Sequence, residues 1–151
     1  MTAFVVDVVG IPAPQGSKRH VGRGILIESS KRVGPWREAV VAALTLDGCA
    51  GARLDGPIAV RTIFRIPRPN GHYTRTGLKP AARLALPDKR PDLDKLVRST
   101  LDALTTAGVI ADDARVVRIT AAKRYTNLDE APGCLLWIAP APEEVTDAKT
   151  P

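Results

Sequence analysis

Five aspartates fall between positions 92 and 113 of the 151-residue chain: Asp92, Asp94, Asp102 and the pair Asp112-Asp113, with Arg98 among them. Carboxylates at that density suit Mg²⁺, which takes oxygen ligands and keeps several waters, so two or three well-placed acids hold it. An ion held in this way can activate water and neutralise charge on the departing oxygen during phosphodiester hydrolysis. Asp92, Asp94 and Asp113 are the candidate ligands. Two carboxylates two positions apart inside a regular helix point to nearly opposite sides, at about 100° per residue. Asp92 and Asp94 can therefore face one ion only if Asp92 precedes the helix, which Pro91 favours. Asp94, Arg98 and Asp102 share one flank at i, i+4 and i+8, where Arg98 could reach a scissile phosphate. The same residues also have a purely structural reading. An Asp-x-Asp at a helix start serves as a cap plus a dipole-favoured acid, Asp112-Asp113 as a turn, and Asp94 with Arg98 as an exposed ion pair.

These acids directly follow the most basic part of the chain. From Arg65 to Arg90 there are seven basic residues against the single acid Asp88, an excess of six that equals the net charge of the whole chain. A cationic approach surface around an anionic metal pocket is what a DNA-cutting enzyme requires. Candidate DNA contacts are Lys18, Arg19 and Arg23, with His20 beside them, in a first loop, and Arg75 and Lys79 in a second. Lys89, Arg90 and Lys95 flank the acids. Each of these could equally be a solvated charge. Tyr73 is a candidate for stacking on an exposed base. Cys49 and Cys134 lack CxxC spacing and a nearby His pair, which argues against zinc or a redox pair. His20 and His72 follow no spacing for nucleophilic catalysis. No stretch approaches the ~20 apolar residues of a membrane span and no signal peptide is apparent, so a cytoplasmic protein with no membrane contact and no organic cofactor is expected.

The elements that must position these groups are legible as hydrophobic periodicity. Phe4–Val9 reads as a strand, Ile25–Ile27 as a second short strand or hairpin arm, and residues 35–46 as a helix with Trp36, Val40 and Leu44 on its apolar stripe. Pro57 opens a strand with Ile58, Val60, Phe64 and Ile66 on one face and Arg61 and Arg65 on the other. Residues 67–91 form a long basic loop, a second helix runs from Asp92 to just before Gly108, and residues 115–125 and 134–138 are strands joined by a polar turn. The order ββαβαββ predicts one α/β (α+β) domain over 1–140, a mixed β-sheet with two helices packed on it, and a flexible tail over 141–151.

The run from Arg90 to Val117, RPDLDKLVRSTLDALTTAGVIADDARVV, resembles the signature of the RusA family of Holliday-junction resolvases, including the gap between Asp92 and Asp113. A looser likeness extends to Gly10–Lys18 and to His72-Tyr73. The resemblance implies a homodimer whose two sites nick opposing strands of a four-way or other branched DNA, in recombination, repair or phage DNA processing. It implies Mg²⁺, or Mn²⁺ in its place, bound by Asp92, Asp94 and Asp113, with Asp112 their neighbour in sequence. The family pattern carries a lysine where this chain has Arg98. Arginine keeps the charge and can grip a phosphate bidentately but does not readily release a proton, so Arg98 is assigned to charge stabilisation in the transition state. Lys95 and Arg115 replace amides common in the pattern. The alternative is a noncatalytic branched-DNA-binding protein on the same scaffold, its acids serving as caps and turns. A nucleotide-sugar enzyme using Asp-x-Asp is set aside because the chain is short and lacks a nucleotide-binding fingerprint.

Overall fold

The structure, a computed structural model, describes residues 3–16, 18–20, 22, 26–28 and 31–143. Its main sheet has four strands in the order β1-β8-β4-β7, where β1 is Phe4–Val9, β4 Ile58–Ile66, β7 Val116–Tyr125 and β8 Gly133–Pro140. Strand β8 runs antiparallel to both β1 and β4, whereas β4 and β7 are parallel. Alternation along the strands stacks Val6, Val8, Cys134, Leu136, Ile138, Val60 and Phe64 on one face. Helices α1 (Val33–Leu46) and α2 (Leu93–Thr106) contribute Trp36, Val40 and Leu44, and Leu96, Ala103 and Leu104, to the same core. Trp36 donates its Nε1–H to Thr100 Oγ1 at 3.2 Å, so the indole nitrogen is satisfied where the two helices meet. The expected single mixed α+β unit with two packed helices is what forms. No helix of the described residues is long and apolar enough to cross a membrane.

Several details differ from the sequence reading or, like the strand pairing, go beyond it. The strands at 116–125 and 133–140 follow each other in the chain but do not pair; β8 inserts between β1 and β4. A short antiparallel hairpin, β2 (Lys18–His20) with β3 (Leu26–Glu28), occupies part of the expected first loop. The basic segment 67–91 holds a two-residue ribbon, β5 (Tyr73–Thr74) with β6 (Gly77–Leu78), between two single 3₁₀ turns. Arg65 lies on the face away from the helices, as its register requires, yet it is 7 % exposed. Its guanidinium donates to Asp7 Oδ1 (2.7 Å), Val8 O (3.0 Å) and Ala131 O (3.0 Å). Gly133 makes room for this. A Cβ there would lie 1.8 Å from Val8 O and 2.7 Å from the Arg65 guanidinium, at a φ of +157° that disfavours any other residue. Arg124 holds the following turn through Glu130 at 2.6 and 2.9 Å, and that hydrogen bond pulls the Glu130 carboxyl down to about 2. Strand β8 ends at Pro140; of the expected tail, residues 144–151 lie outside the described residues.

Parallel neighbours such as β4 and β7 need a crossover connection, and here it consists of the basic segment followed by α2. Helix α2 begins midway along this crossover, and β7 begins where it ends.

Candidate active site

Asp92 occupies the N-cap position of α2 in an extended conformation (φ −70°, ψ 134°), with Leu93 the first helical residue. The condition for Asp92 and Asp94 to face a common point is met, because Asp92 stands outside the helix. An N-cap aspartate ordinarily spends its carboxylate on the first free N–H groups, but Asp92 makes no side-chain cap hydrogen bond. Its partner is Lys95 Nζ at 3.4 Å, in a pair about half exposed on both sides. Asp94 lies in the first turn, exposed, and does not form the ion pair with Arg98 that their spacing allows. The capping reading therefore fails for Asp92, and the ion-pair reading fails for Asp94 with Arg98. Asp94 is left without an ion pair, and Asp92 is held only by the half-exposed Lys95.

Asp112 and Asp113 behave differently. Asp112 is spent as a cap, accepting from Ala114 N at 2.7 Å, and this hydrogen bond holds its carboxyl below the usual range. Asp113 begins the 3₁₀ turn before β7, and its carboxyl is pushed above the usual range by the hydrogen bond shared with Asp112, by desolvation and by the charges of Asp112 and Asp102. It borders a shallow depression with Arg37, Asp102, Thr105 and Thr106. Asp102 itself is bound by Arg37 at 2.8 Å. Asp102 to Thr106 follow Asp94 by about 12–18 Å along a helix axis. Among the described residues no three His, Cys, Asp or Glu side chains are gathered where they could hold one ion. A single chain thus presents Asp92 and Asp94 at one end of α2 and Asp113 toward the other, and does not by itself build a three-carboxylate metal site.

The family model for endodeoxyribonuclease RusA matches residues 9–131, most of the chain and all of the acids above. The chain belongs to the RusA family. No curated protein is a significant match to it. Membership makes this RusA-family chain an endodeoxyribonuclease, a DNA-binding hydrolase of the Holliday-junction-resolving kind.

Within this RusA-family fold, the segment Gly10–Gly16 is tied to the start of α2. Gln15 N donates to Lys95 O at 3.0 Å, and Ser99 Oγ donates to Ala13 O at 2.7 Å. The loop leading into Asp92 is held from the other side by Lys123 of β7, whose Nζ donates to Lys89 O (2.7 Å) and Pro91 O (2.9 Å). Sequence reasoning missed Lys123. The signal was available: β7 turns Ile119, Ala121, Lys123 and Tyr125 toward the helix-covered side, and a lysine interrupts that series. Of the seven basic residues in 65–90, two are structural. Arg65 is buried as described, and Arg68 donates to Thr126 O and Ala82 O, at 2.6 and 2.5 Å, to hold the loop. Arg75, Lys79, Arg83, Lys89 and Arg90 remain exposed, as does Tyr73 on the β5-β6 ribbon. Lys18 and Arg19 fall on β2, and Arg23 lies outside the described residues. Cys49 and Cys134 are free and buried, and burial pushes the Cys134 thiol up to about 12, so neither serves as a nucleophile.

Proposed function

We propose that this protein is a homodimeric, divalent-metal-dependent endonuclease that resolves four-way and related branched DNA. The observation that carries the reading is the pair of exposed carboxylates, Asp92 at the cap without a cap hydrogen bond and Asp94 in the first turn, beside the cations Lys89, Arg90 and Lys95 on a RusA-family chain. These two aspartates would hold Mg²⁺, or Mn²⁺ in its place, with waters and the DNA phosphate supplying further oxygens. What the ion contributes when bound is charge neutralisation at the phosphodiester and a more acidic water. Arg98, exposed and one turn beyond Asp94, carries a permanent charge suited to a non-bridging phosphate oxygen as negative charge builds there. Lys89, Arg90 and Lys95, with Arg75, Lys79 and the first-loop residues Lys18, Arg19 and Arg23, are read as contacts that position the phosphate backbone; Tyr73 is read as a stacking contact.

Asp113 enters this reading through the dimer. It stands two to three turns from Asp94 within its own chain, so a two-fold axis that sets two α2 helices side by side and antiparallel would bring Asp113 of the partner subunit to Asp92 and Asp94. The two centres of such a dimer are equivalent, as paired nicks on opposing strands require.

The test is incubation of the purified protein with end-labelled four-way and linear DNA of the same sequence, with and without Mg²⁺. Cleavage of the four-way substrate that needs Mg²⁺, with the linear duplex left intact, is the expected result. Junction binding without cleavage under any divalent ion would instead identify a noncatalytic junction-binding protein.

A further inference from the structure

A cleft of about 580 Å³ opens beside Asp92. It lies where β4 ends at Ile66 and the first loop passes over the start of α2. Its volume falls within the roughly 300–1,000 Å³ of pockets that enclose small organic ligands. The lining is more apolar than polar, with Ile11, Pro12, Ile66, Pro67 and Pro91 among its residues. Around the mouth stand three cations, Arg32, Arg90 and Lys95, with Asp92 the single acid. An apolar slot rimmed by positive charge fits a planar heterocycle that carries phosphate. The lining holds no aromatic ring, so a base inside would lie in van der Waals contact with proline rings and against guanidinium planes, which can stack on bases. Tyr73, the stacking residue suggested by sequence, is not part of this lining.

We propose that the cleft receives one unpaired nucleotide from the branch point, drawn out of the stack so that its phosphate lies beside Asp92. Extruding a base is costly in an intact duplex and costs least where pairing is already broken. The cleft would thereby favour branch points over linear DNA, and its walls would discriminate among bases at that position. This rests on the reading of the protein as a branch-selective nuclease, but it concerns binding and can be measured without cleavage.

The experiment places 2-aminopurine, whose fluorescence rises on unstacking, at successive positions around the centre of a four-way junction, titrated with protein in the absence of divalent ions. One position near the centre is expected to brighten several-fold on binding. In Ile11→Glu the rise at that position should be lost, while junction affinity falls by less than about tenfold because most phosphate contacts lie elsewhere. Ile11 is about half exposed (54 %) and outside the core, so this variant should fold. Arg32→Glu, which reverses one of the lining charges, should reduce the same signal. The proposal is overturned if no position brightens in the wild type while the junction is bound, if the rise survives in Ile11→Glu, or if Ile11→Glu alters the oligomeric state, which would make the cleft a seat for a second copy. A protein that brightens the probe but never cuts would sink the nuclease reading and leave the cleft standing. One that cuts without brightening any position would do the reverse.

Discussion

Mixing Asp94→Asn chains with Asp113→Asn chains is expected to restore cleavage that neither variant shows alone. Each variant by itself should lose activity on the order of a thousandfold, because the several kcal/mol of charge stabilisation a bound metal supplies converts at about 1.4 kcal/mol per tenfold. If Asp113 serves the centre of the opposite subunit, a mixed dimer places both lesions in one centre and leaves the other intact. With free exchange, about a quarter of all centres in an equal mixture are whole. The product should be distinctive: a mixed dimer nicks one strand and stops, so nicked junctions accumulate in place of resolved duplexes. If all three aspartates instead acted within one chain, every centre of every dimer would carry a lesion and the mixture would be as inactive as its components. Asn is close to isosteric with Asp and removes negative charge at an exposed site, so both variants should bind the junction at least as tightly as the wild type.

The second large effect is expected at Lys123. Its ammonium group fixes the carbonyls of Lys89 and Pro91 at 2.7 and 2.9 Å, immediately before Asp92. Without that clamp the approach to the N-cap is free to shift, and a displacement of about 1 Å at a reacting centre can cost on the order of a hundredfold. Lys123→Met should therefore lower kcat by about tenfold to a hundredfold while the junction Kd changes by less than about threefold, since the ammonium is engaged by two backbone carbonyls. Lys123→Arg, which keeps the charge and can donate to the same carbonyls, should recover part of the loss. An unchanged kcat in Lys123→Met, or a loss seen only in Kd, would remove Lys123 from the positioning of Asp92.

The two main helices and the four main strands were legible because each carries its own period: Trp36, Val40 and Leu44 at helical spacing, and Ile58, Val60, Phe64 and Ile66 in alternation. Lateral order was not, because nothing in the 116–125 and 133–140 segments states that β8 pairs with β1 and β4 rather than with β7. The β2 strand, Lys18-Arg19-His20, was hidden because three basic residues in a row show no alternation. At the site, Pro91 and the helical pattern after Asp92 were enough to place Asp92 at the cap. They could not say that the cap hydrogen bond goes unmade, which depends on side-chain orientation. Asp113 is the instructive case. The segment separating it from Asp92 encodes a helix of 14 residues plus a turn, and a straight helix keeps its ends apart. Conversely, Arg65 and Arg68 add to the charge counted in the basic segment, and both donate to backbone carbonyls. Charge counted along the chain overstates the charge a partner meets.

The most direct measurement is Mn²⁺ binding followed by electron paramagnetic resonance, comparing the wild type with an Asp92→Asn/Asp94→Asn double variant, each with and without an uncleavable four-way junction. Expected are two equivalent Mn²⁺ sites per wild-type dimer, tightened when the junction adds its phosphate oxygens, and the loss of both in the double variant. Retention of wild-type Mn²⁺ binding by the double variant would contradict a metal held at the start of α2.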